Sequence, residues 1–146
     1  MTNDAPQRPP ITNIHHFSPT VSDLEASVAW YERVLGLQRL PMQFPHYGAD
    51  DGGYAVLLLE PTAGFGIGLH HHPHGSGGRA DEARPGLDHL AMAVPTRADL
   101  DEWASWLDAH DVAHSGVTDT QDPIPYSVLV FRDPDNIQLE FIYLPS

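Results

Sequence analysis

The chain repeats its own pattern. An offset of 73 residues lays His16 on His89 and Val21 on Val94, and an offset of 72 lays Phe65, Ile67 and Leu69 on Ile137, Leu139 and Phe141. One residue of slippage in a loop accounts for the difference. Each half reads strand, helix, then three strands, so the fold class is α+β, built as two βαβββ modules. At 146 residues the two halves form one compact domain around a shared core. The expected division is a polar N-terminal arm over 1–10, a first module over 11–72, a Gly-, Pro- and charge-rich linker over 73–86, and a second module over 87–146.

Local signals place the elements. A strand over Ile14–Val21 runs into Ser22-Asp23-Leu24-Glu25, which reads as a capping box closed by Ser22 and Glu25. Leu24, Val28, Tyr31 and Leu35 then recur at helical spacing, and Gly36 supplies a left-handed stop. Strands are expected near Gln38–Phe44, Tyr54–Glu60 and Phe65–His71, with Asp50-Asp51-Gly52-Gly53 as a turn at the mouth of a pocket. In the second half a strand over Leu87–Val94 precedes a Thr96–Asp99 cap and a helix carrying Leu100, Trp103 and Leu107. Strands follow near Val112–Thr118, Tyr126–Arg132 and Ile137–Leu144, the last two joined by the turn Asp133-Pro134-Asp135-Asn136. Trp30, Trp103 and Trp106 sit on helices at spacings that suit packing.

Strand alternation then sorts side chains by face. In the last strand Ile137, Leu139, Phe141 and Tyr143 make an apolar face, which turns Gln138 and Glu140 the other way. Leu90, Met92 and Val94 likewise oppose His89, and Phe17 and Val21 oppose His16, Ser18 and Thr20. Two imidazoles and a carboxylate from three strands thus share the face away from the helices. That donor set suits Fe(II), Mn(II), Ni(II) or Zn(II) and leaves coordination positions open. Composition narrows the chemistry further. There is no Cys, which removes thiol nucleophiles, disulfides, iron–sulfur clusters and thiolate-bound zinc. All seven basic residues are Arg, so Schiff-base and P-loop lysines are absent. A net charge of −13 disfavours nucleic acid and anionic membranes as partners. The opening MTNDAPQRPP lacks the apolar centre of a secretory leader, and no apolar run approaches the ~20 residues of a membrane span. A cytoplasmic location is the expectation.

Three stretches carry a family resemblance. His16-Phe-Ser-Pro-Thr-Val-Ser-Asp-Leu running into Trp30-Tyr-Glu-Arg-Val-Leu-Gly-Leu37, then Gly86-Leu-Asp-His-Leu-Ala-Met-Ala-Val94, then Phe131-Arg-Asp-Pro-Asp-Asn-Ile-Gln-Leu-Glu140, resemble motifs of the vicinal oxygen chelate superfamily. This is the glyoxalase/bleomycin resistance/dioxygenase group, and the match spans about residues 11–144. The resemblance implies curved mixed sheets enclosing a cavity. It also implies that His16, His89 and Glu140 supply metal ligands, while strand phase puts Ser18, Gly68 and Gln138 in the expected substrate pocket.

Glyoxalase I-like members carry a fourth ligand at the position that the repeat assigns to Gly68. Its absence leaves room for a chelating substrate, so ring-cleaving dioxygenase chemistry with Fe(II) is slightly favoured over Mn(II), Ni(II) or Zn(II) enzymes of the lyase or isomerase kind. The alternative is a bleomycin-resistance-type protein that sequesters an antibiotic or aromatic metabolite without catalysis. His70 shares a strand phase with Gly66, Gly68 and His72 and is a candidate acid/base group or replacement ligand. A small-molecule partner and a homodimer complete the expectations.

Overall fold

A computed structural model describes residues 6–46 and 52–146. The elements run β1 (His16–Phe17), α1 (Leu24–Leu35), β2 (Gln38–Pro45), β3 (Tyr54–Leu59) and β4 (Gly66–His71). The same order then returns as β5 (Leu90–Ala93), α2 (Arg97–Ala109), β6 (Thr118–Thr120), β7 (Tyr126–Arg132) and β8 (Gln138–Tyr143). Each module makes one four-stranded mixed sheet, ordered β1-β4-β3-β2 and β5-β8-β7-β6. In both, the first strand pairs in parallel with the last and the remaining pairs are antiparallel. The two sheets stay separate and do not close into one barrel. Among the described residues no helix is long and apolar enough to cross a membrane.

Where elements differ from expectation, a local cause is visible. β1 is cut short because Pro19 cannot donate to the ladder. Pairing resumes at Thr20, which bridges to His70. The cap of α1 is Asp23, whose carboxylate accepts from the Ala26 amide, and not the Ser22/Glu25 box. The Ser22 amide donates to Asp135 of the other module instead. Gly36 stops the helix at φ 68°, as its spacing requires. At α2 the Thr96/Asp99 capping box forms in full. β6 lies at Thr118–Thr120, not Val112–Thr118, because Val112 is buried against the end of α2 and Gly116, at φ 75°, turns the chain first. Asp50 and Asp51 of the expected turn, and residues 1–5 of the expected arm, lie outside the described residues.

The helices and the apolar sheet faces form one core. Val56, Leu58, Ile67 and Leu69 from one sheet and Leu129, Phe131, Leu139 and Phe141 from the other belong to a single cluster with Tyr31, Val34, Leu100 and Leu107. Trp30 of α1 stacks on Phe131 of β7, and Trp103 of α2 stacks on Phe141 of β8. Trp106 is partly exposed, yet its indole N–H donates to the Val34 carbonyl at 2.8 Å. Tyr31 donates its buried hydroxyl to Asp133 Oδ2 at 2.9 Å, tying α1 to the β7–β8 turn. Because both apolar faces point into this core, the opposite face of each sheet is left to carry chemistry.

The stretch 73–86 has no helix or strand but is pinned to the second module. Ala80 donates its amide to the Asp135 carbonyl and accepts from the Asn136 side chain, and Arg132 grips Glu82 with two bonds of 2.6 and 2.7 Å. Hydrogen bonding from Arg132 holds the Glu82 carboxyl down at about 2. The clamp therefore contributes fully above the ordinary carboxyl value of 4.5 and fades as pH falls towards 2. Thermal melts of the parent and of Glu82→Gln between about pH 5 and pH 2.5 should show the parent losing stability more steeply. Parallel losses would place the pH dependence elsewhere.

Candidate metal centre

The second module presents His89 and Glu140 on one face. β5 and β8 run in parallel with Ala91 beside Glu140 and Leu90 beside Leu139, so Glu140 shares the side opposite the buried Leu139 and Phe141. His89, two residues before Ala91, is exposed on that same side. Its Nδ1 lies 2.6 Å from Asp88 Oδ1. A carboxylate can only accept here, so Nδ1 carries a proton, and the neutral ring then has its Nε2 lone pair for a cation. Asp88 is held in turn by the Gln138 side-chain amide at 3.0 Å, and Gln138 accepts from Arg132, which grips Glu82. Four side chains in a row, Asp88, Gln138, Arg132 and Glu82, thus set the orientation of one imidazole.

The first module places His16 on β1 beside β4, in register with Gly66. A Cβ at Gly68 would stand 2.5 Å from Ser18 Oγ and 4.0 Å from His16 Cδ2. The Ser18 hydroxyl fills the space that a side chain at 68 would need, so Gly68, Ser18 and His16 are neighbours on this face. Nδ1 of His16 also meets Nδ1 of His15 at 2.8 Å, so one of the two rings donates to the other. Ser18, His89 and Gln138 line a common cavity of about 240 Å³ between β1 and the start of β8.

Convergence within one chain is found elsewhere. Among the described residues, the His, Cys, Asp and Glu side chains that bring three donor atoms within 4.8 Å of one another are His46, His70 and His72. His16, His89 and Glu140 do not form such a group within a single chain. Burial, followed by the neighbouring rings of His46, His72 and His16, holds the His70 imidazole below its ordinary value. Two further imidazoles, those of His46 and His72, stand beside His70.

Sequence reasoning passed over His46 and Asp88. The signal for Asp88 was its place directly before His89. That for His46 was its phase, two residues beyond Phe44, on a strand that the pairing Phe44–Ala55–His70 carries across to β4.

Comparison with known proteins agrees with this architecture. A sequence profile described as the Glyoxalase/Bleomycin resistance protein/Dioxygenase superfamily matches residues 13–141. A glyoxylase/bleomycin resistance protein/dioxygenase domain from Frankia sp. EAN1pec is 31% identical, with a TM-score of 0.79 over 93% of this chain and 100% of that one. A lactoylglutathione lyase from Agrobacterium tumefaciens shares the fold at 20% identity and a TM-score of 0.66, covering 92% of this chain and 95% of that one. So does the fosfomycin resistance protein FosX from Listeria monocytogenes, at 18% identity and 0.64, over 90% of each. No functionally curated protein matches the chain.

Proposed function

Because the chain belongs to the glyoxalase/bleomycin resistance protein/dioxygenase superfamily, we propose that it is a metal-dependent enzyme for a small substrate bearing two adjacent oxygens. His16 from one copy and His89 with Glu140 from a second copy would hold the divalent ion in a homodimer. The observation that carries this reading is the Asp88–His89 pair, since a 2.6 Å bond to a carboxylate at one imidazole nitrogen is the usual companion of metal ligation at the other. Two imidazoles and a carboxylate fit Fe(II), with Mn(II), Ni(II) and Zn(II) as competitors. A bound ion of this kind supplies Lewis acidity towards the two substrate oxygens.

The protein's own groups do the rest. Asp88 keeps the His89 proton on Nδ1, and the Gln138–Arg132–Glu82 chain stops Asp88 from swinging away. Gly68 adds no fourth donor beside His16, which favours a chelating ring-cleavage substrate over a closed four-ligand centre. Ser18 offers the hydroxyl closest to that gap and orients substrate there. The separation of the three ligands within one chain supports a site shared between copies.

The test is anaerobic loading with Fe(II), Mn(II) or Zn(II), followed by oxygen uptake with simple catechols. Fe(II)-dependent uptake is expected. An aromatic ligand that binds equally with and without metal, and is not turned over, would replace the enzyme with a sequestering protein.

A further inference from the structure

We propose that His46, His70 and His72 form a second metal site, distinct from the His16/His89/Glu140 set and contained in a single module of a single chain. It is a tri-imidazole site for a borderline divalent ion of the Zn(II) class, and it does not depend on the enzyme reading above.

The backbone puts the three rings together. His70 is held by the segment that follows β1, its amide donating to the Pro19 carbonyl at 2.9 Å and its carbonyl accepting from the Val21 amide at 3.1 Å. His72 follows two residues on, in the same phase. His46 leaves β2 in the phase of Phe44, and Phe44 pairs with Ala55, which pairs with His70. The ring centroids lie 4.1 Å apart for His46 and His72, 5.1 Å for His46 and His70, and 6.1 Å for His70 and His72. One donor nitrogen from each falls within 4.8 Å of the others. Zn–N bonds of about 2.0–2.1 Å at tetrahedral angles need nitrogens about 3.3 Å apart, so rotation of the exposed His72 and half-buried His70 side chains closes the set.

The chemistry selects the ion. Three neutral imidazoles without a carboxylate favour Zn(II), Ni(II) or Cu(II) over Mg(II) and Ca(II), which prefer oxygen. The ring burial is graded, with His46 buried, His70 half-buried and His72 exposed, so one side of the site stays accessible. That side borders a cavity of about 540 Å³ lined by His72, His74, Thr20 and Asp135, leaving a fourth position for water or a small ligand. The protein's net charge of −13 draws cations to the surface from which they must enter.

The test uses the full chain without an affinity tag and Zn(II) alone as probe, with Co(II) absorption reporting the donor set. Glu140→Gln should keep one equivalent of tight Zn(II) per chain, because this site does not use Glu140. His72→Ala, at an exposed position that folding does not require, should weaken that equivalent at least about a hundredfold, and His46→Ala should do the same. His71→Ala and His74→Ala should leave it unchanged. Equal binding by His72→Ala and the parent overturns the proposal. Equal losses from His71→Ala and His74→Ala also overturn it, since they would reveal loose chelation by the histidine run. If the parent binds no Zn(II) beyond the equivalent that Glu140→Gln keeps, the enzyme reading fails and this site stands.

Discussion

Glu140→Gln is expected to lower affinity for the ion shared with His16 and His89 by at least about a hundredfold and to reduce turnover by a similar factor. The reasoning is comparative, since loss of a residue that merely orients a ligand costs roughly 10–100-fold and loss of the ligand itself costs no less. Glu140 is half-buried on the open face and makes none of the core contacts, so melting should hardly change. Asp88→Asn separates positioning from ligation. It leaves His89 in place but lets the imidazole exchange tautomers, so metal affinity should fall about tenfold to a hundredfold while the fold is kept. Metal titration with a competing chelator checks both variants. Undiminished affinity in Glu140→Gln would remove Glu140 from the ligand set.

Asp133→Ala should be the most damaging single change to stability. Asp133 Oδ1 accepts from the amides of Asp135 and Ile137 at 2.9 and 2.8 Å, while Oδ2 accepts from Tyr31 in the core. Only 4% of the residue is exposed. Alanine would strand two amides and a hydroxyl at about 1–3 kcal/mol each, so a loss of at least about 3 kcal/mol is expected. Against a typical total of 5–15 kcal/mol that approaches unfolding. For a chain of this size the melting temperature should drop by roughly 10 °C or more. Asp133→Asn keeps an oxygen for the two amides and should cost less than half as much. Burial pushes the Asp133 carboxyl upward, so the charged form carries a penalty in the fold that grows as pH rises through its raised value. Urea melts of the three proteins measure the order, and equal stability of alanine and parent would deny the turn its locking role.

The repeat made the architecture readable because strand phase and helix spacing are local and occur twice. β7, β8 and the Asp133–Asn136 turn stand where alternation placed them, and so does the Gly36 stop. Boundaries failed where a long-range contact overrode a local signal. Ser22 is capped into the other module by Asp135, and Val112 is drawn under α2 when its own neighbours suggest a strand. The candidate centre was readable only by face. Alternation puts His89 and Glu140 together and His16 on the equivalent face of the other module, but no periodicity states how far apart two modules sit. His46 stayed hidden because its partners are reached across two hairpins, through Ala55, and not along the chain.

The same Glu140→Gln chain gives the most direct test of a centre shared between copies, when it is mixed with His16→Ala. Each variant alone should lack the shared ion and turnover, apart from the separate histidine site that both retain. Unfolded together and refolded, about half of the dimers are mixed, and each mixed dimer has one intact centre out of two. Recovery of about a quarter of the parent's shared-site metal and turnover is the predicted result. No recovery, with dimers re-formed, would contradict a centre shared between copies.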